Sequence, residues 1–177
     1  MFAQMKKVEF DSFSDLALFN ACFKPLILDY KSRMVKDNSS MVKELFYRDL
    51  TPGQKALFVF HVYYNHALES QEEFYWWSAF YLAQPKIWSA ITTGLKYLGN
   101  EHMYQLLEET EIIFRSHNYP DTLEKFTVTR ENLGSNCELT VAIHSLYMNF
   151  NKIAPQTIKG ISKFIRHNPE MFLKIED

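Results

Sequence analysis

Glycine is scarce in this chain, 5 in 177 residues, too few for the turn-rich punctuation of a many-stranded β fold. Cysteine is scarcer: Cys22 and Cys137 form no Cys-x-x-Cys pair, which argues against a disulfide framework and for reduced, buried thiols. No apolar run approaches the roughly 20 residues a bilayer span requires; the most apolar stretch, Phe74 to Ala83, is far shorter. Lys6 and Lys7 are followed by no apolar run of signal-peptide length, so a cytoplasmic location is expected. No Gly-x-Ser-x-Gly and no glycine-rich phosphate loop occurs. Neither sign of charge dominates at a formal net of −2, and direct nucleic-acid binding is not expected.

What the chain does have is aromatic bulk: 15 Phe and 10 Tyr, with 47% hydrophobic residues overall. Its length suits one domain that buries about 70% of its unfolded surface. The pattern predicts an all-α, single-domain bundle of eight or nine helices over 1–177, with no repeat or linker. Asp11 or Ser12 is placed to cap a first helix carrying Leu16, Phe19, Phe23 and Ile27, with Pro25 expected to kink or break it. Leu50-Thr-Pro-Gly-Gln54 reads as a helix start: Thr51 as N-cap, Pro52 in the first turn, Gln54 closing a capping box. Ser70 and Glu73 repeat that spacing. Phe74 to Ala83 is apolar on all sides and is expected to be the central buried helix. Glu101 to Ser116 is cleanly amphipathic, with Met103, Leu106, Leu107, Thr110, Ile113 and Phe114 along one stripe. Pro155 is expected to start the last long helix. Thr127-Val128-Thr129 is the one place where a strand is expected to intrude. Trp77, Phe80, Leu106, Ile113, Ile143 and Leu146 are the expected core.

Candidate functional residues fall in two groups. His61, His66, Glu69, Glu72 and Glu73 form the densest polar cluster, the residue types of a helical-bundle metal or acid–base site. Only one His-x-x-Glu unit exists, and a two-metal site needs a second on a facing helix, so no metal and no cofactor is expected. The second group is acidic. Residues 69–124 hold 9 Asp/Glu against 3 Lys/Arg, whereas the flanking thirds are slightly basic. Within that stretch Glu101, Glu108 and Glu111 are expected to line the outer face of a helix and to contact a protein partner of basic character. Lys159, Lys163 and Arg166 form a short basic stripe read as a solvated face.

The stretch from 50 to about 116 also resembles a known helical domain. Leu50-Thr-Pro-Gly-Gln54, the turn Tyr64-Asn65-His66, Gln71 with Phe74-Tyr75-Trp76, the helix Ile91 to Gly99 and the acidic helix Glu101 to Phe114 follow its pattern. It is the domain family named after a bacterial DNA-mimic protein and otherwise of unknown function. The family's Asn-Gly-Gly turn is here Asn65-His66-Ala67, and the Asn after its aromatic pair is not evident. At −2 overall, DNA mimicry itself does not carry over. The resemblance implies an uncharacterised bacterial, all-helical, non-enzymatic interaction protein, with a homodimer as one form it could take. The competing reading is a small helical enzyme or ligand-binding protein using His61, His66, Glu69 and Glu73.

Overall fold

The computed structural model describes every residue except Asn38 and Asp177, and the main chain only of Ser40. The protein is all-α. Among the described residues eight α-helices run in the order α1 Lys7–Ser12, α2 Asp15–Lys36, α3 Ser40–Asp49, α4 Pro52–Ala67, α5 Gln71–Leu82, α6 Pro85–Tyr97, α7 Glu101–Ser116 and α8 Cys137–His167. Two four-residue strands, β1 Ala3–Lys6 and β2 Leu173–Glu176, pair in parallel, with Ala3 opposite Leu173. They join the two ends of the chain.

The centre is α4. Eleven of its 16 residues are buried, because aromatic and aliphatic side chains emerge on nearly every side. Its start is set by local chemistry: Thr51 Oγ1 accepts from the Gln54 N–H at 3.1 Å, and Gln54 Oε1 accepts from the Thr51 N–H at 3.1 Å. Against α4 pack α2, α5 and α6. The approach to α6 is close, since a Cβ placed on Gly94 would stand 3.1 Å from the Ala56 Cα. Buried Tyr63 on α4 bonds Ser78 on α5 at 2.8 Å and meets Tyr81, Trp88 and Phe150 edge-on. Helix α8 closes the bundle against α2, α5 and α7.

Several expectations are corrected. The central helix is α4, not the Phe74–Ala83 segment, whose Trp76, Trp77 and Phe80 lie only half-buried on the outer side of α5. Trp76 and Trp77 each carry an N–H that needs an acceptor, and both find one at a partly wet surface. Ile113 is likewise half-buried, whereas Leu106, Ile143 and Leu146 are core. Pro25 and Pro155 lie inside continuous helices. In α8 the inward stripe Ile143, Leu146, Phe150, Ala154, Ile158, Ile161 runs straight past Pro155, whose ring is exposed. Burial of that stripe offsets one lost hydrogen bond on the solvent side. Ser14, not Asp11 or Ser12, caps α2 by accepting from the Ala17 N–H. No strand forms at Thr127–Thr129; the strands are terminal, too short to leave a legible alternation.

Among the described residues no helix is long and apolar enough to cross a membrane. Leu106 is 2% exposed between α7 and its neighbours, so Leu106→Ala is expected to cost about 2–5 kcal/mol. Urea unfolding followed by circular dichroism reads this as a lower midpoint with an unchanged slope; a loss under about 1 kcal/mol would contradict the packing.

Candidate functional site

Helix α7 turns Met103, Leu106, Leu107, Thr110 and Phe114 inward. That leaves Glu101, His102, Gln105, Glu108, Glu109, Ile112 and Arg115 exposed on the other side. Glu101 stands in the first turn, where the helix dipole favours a carboxylate, and accepts from Gln105 Nε2 at 3.1 Å. Glu108 and Glu109 form no ion pair among the described residues. Glu111 is different. It is half-buried, accepts from Trp88 Nε1 at 2.8 Å and pairs with Arg115 at 3.4 Å. Of the three acids expected on the outer face, two are there and Glu111 braces α7 against α6. Sequence reasoning passed over Ile112, 66% exposed amid these acids. Its place outside the 103/106/107/110/113/114 stripe was the available signal.

The His/Glu cluster separates into two environments. His61 is buried between the rings of Phe19 and Phe23, stacked at 4.4 and 3.6 Å. Its Nε2 lies 2.9 Å from Asn20 Oδ1 and its Nδ1 3.1 Å from Asn65 Nδ2. With the amides oriented so, one ring nitrogen donates and the other accepts, which is the complement of a neutral imidazole. Burial pushes His61 down to about 4.

His66, Glu69 and Glu73 lie elsewhere, at the α4–α5 junction. His66 stacks on Trp77 at 3.9 Å, and burial lowers its pKa, opposed by Glu69 and Glu73. Glu69 is exposed. Glu73 does not complete the expected capping box. Its backbone N–H is bonded to Ser70 Oγ at 3.2 Å, but its carboxylate turns outward to Arg130 and to Trp77 Nε1, the latter at 2.9 Å. The pairing with Arg130 holds the Glu73 carboxyl below its ordinary range.

Arg130 belongs to the segment 117–136 between α7 and α8, which contains only 3-10 turns at Leu123–Lys125 and Arg130–Ser135. It crosses the outer side of α5. Val128 O accepts from Trp76 Nε1 at 3.0 Å, and Phe126 meets Trp76 and Phe80 edge-on. The clefts between β1 and α2 and between α4 and α6 include none of His61, His66, Glu69 or Glu73. Among the described residues no three His, Cys, Asp or Glu side chains are grouped to hold a metal ion. No family model, curated protein or solved structure matches the chain.

The His61 environment has a pH consequence. Its folded pKa of about 4 lies below the ordinary value of 6.5, so between those pH values the unfolded state binds more protons. Stability from a neutral His61 is therefore full above about pH 6.5 and lost as pH falls towards 4, by roughly 3 kcal/mol. Urea unfolding at pH 7 and pH 4 is expected to show a smaller drop for His61→Phe than for the wild type. An equal drop in both would show that His61 is not protonated on unfolding.

Proposed function

We propose that the protein is a non-enzymatic protein-interaction module that presents the outer face of α7 to a basic partner in the cytoplasm of a bacterial cell. The observation that carries this reading is the exposed face of α7, on which Glu108 and Glu109 stand one turn before the open Ile112 and Glu101 lies on the first turn of the same helix. An apolar side chain open to water among carboxylates without ion pairs combines a contact centre with an attractive rim. The rim raises the rate of encounter with a positive surface, and salt screens that effect. The resemblance of residues 50 to 116 to the DNA-mimic-named domain supports an interaction role, although the charge layout differs from that of a mimic.

The enzyme reading has less behind it. A catalytic group must present a free polar atom to its substrate. Both ring nitrogens of His61 are occupied, and the Glu73 carboxylate is bonded to Arg130 and Trp77.

The test combines affinity capture from the native cell with charge reversal. Glu101→Lys, Glu108→Lys and Glu109→Lys together leave the Trp88 brace intact. They are expected to weaken the captured partner by at least about tenfold and to flatten its salt dependence. A partner whose affinity and salt response both survive the triple substitution would show that the α7 acids only solvate the helix.

A further inference from the structure

The segment 117–136 meets α5 at several points, through Tyr119, Phe126 and Val128, and at one corner that carries charge. Arg130 lays its guanidinium over Trp76, 4.5 Å from the ring centre, and donates from Nε and Nη2 to the two oxygens of Glu73, the second at 2.7 Å. Trp77 Nε1 donates to the same Oε2 that Arg130 Nη2 bonds, and His66 stacks against Trp77. A forked carboxylate beside an indole face is the arrangement that recognises arginine in preference to lysine, because the planar guanidinium can stack and bond at once. Here the arginine comes from the chain itself.

The corner is not neutralised by it. Glu69, Glu73 and Glu131 all act on the one Arg130 charge. The neighbouring His66 is biased towards its neutral form by burial and so adds little positive charge. Arg130 remains 42% exposed, its guanidinium has no hydrogen-bond acceptor other than Glu73 among the described residues, and Leu133 alone of residues 117–136 is fully buried. The pair is two-pronged and part-buried, so Arg130 is a competitor of substance, while its exposure leaves the corner reachable from solvent.

We propose that the Glu73–Trp76 corner is a docking site for an exposed arginine of a protein partner, closed in the free chain by Arg130 as an internal competitor. A group tethered this way acts at an effective concentration of about millimolar. It excludes an isolated arginine and yields to a partner whose arginine arrives with further contacts. The site lies on α5 and the 117–136 segment, so it does not depend on the α7 face, and the α7 charge reversals leave it untouched.

The test is an NMR titration of the full chain, with the indole N–H groups observed, using the peptide acetyl-Gly-Arg-Gly-amide. Trp88, bonded to Glu111, is the internal reference. Removing the competitor with Arg130→Ala is expected to give saturable shifts at Trp76 and Trp77 at peptide concentrations at least about tenfold below those the wild type needs. Arg130→Gln, which keeps the stem over the indole, guards against collapse of the segment onto the site and is expected to behave alike. Adding Glu73→Gln to either variant should abolish the shifts, and the lysine version of the peptide should bind at least about tenfold more weakly. The proposal is overturned if neither variant gains affinity, if binding survives Glu73→Gln, or if the lysine peptide binds equally.

Discussion

The fold depends on the fact that α4 can leave only one narrow face, that of Pro52, Lys55, Val62 and His66, near water. Leu57, Phe58, Phe60, Tyr63 and Tyr64 spread over more than half of its circumference, and all are buried. Each large buried side chain is worth about 1.5–3 kcal/mol relative to exposure, so a helix of this kind is stable only when surrounded. The surrounding helices α2, α5 and α6 follow from that demand. Two of the close fits leave little room for a Cβ: at Gly94 it would stand 3.1 Å from the Ala56 Cα, and at Gly53 2.5 Å from the Phe172 ring, which would have to shift. The second fit joins the start of α4 to the C-terminal region and, through β2 and β1, to the beginning of the chain.

Local chemistry made much of this legible. The Thr51 box, the Ser70 cap and the Gly99 stop, with its φ of 71°, are each decided by groups a few residues apart, and the sequence displays them. The amphipathic stripe of α7 reads off for the same reason. What could not be read was decided at a distance. Pro155 looks like a helix start until the inward stripe is seen to continue on both sides of it. The strands pair Ala3 with Leu173 across nearly the whole chain, and four residues of alternation do not rise above background. The Phe74–Ala83 segment misled through its composition. Tryptophan counts as apolar in a pattern but carries a donor, and a donor draws the ring to a place where an acceptor is available.

The candidate sites divide along the same line. Glu101 and Glu108 were visible as outward positions because α7 is a clean amphipathic helix. Glu111 joins the same face on local charge, and only the position of Trp88 on α6 reveals it as a brace. The His/Glu cluster was a product of sequence proximity. Five residues along a helix turn His61 and His66 well apart in direction, one into a Phe19–Phe23 sandwich and the other onto Trp77.

Glu73 shows how local and distant demands compete for one side chain. Its position three residues after Ser70 suits it to the reciprocal box, in which the carboxylate folds back on the N-cap N–H. A neutral backbone donor on an accessible helix end loses little by bonding water instead. A guanidinium offering two donors, with the Trp77 N–H adding a third, makes the outward orientation the stronger one. The capping position thus becomes one of the points at which the segment 117–136 meets α5, beside Val128 on Trp76 and Phe126 on Phe80.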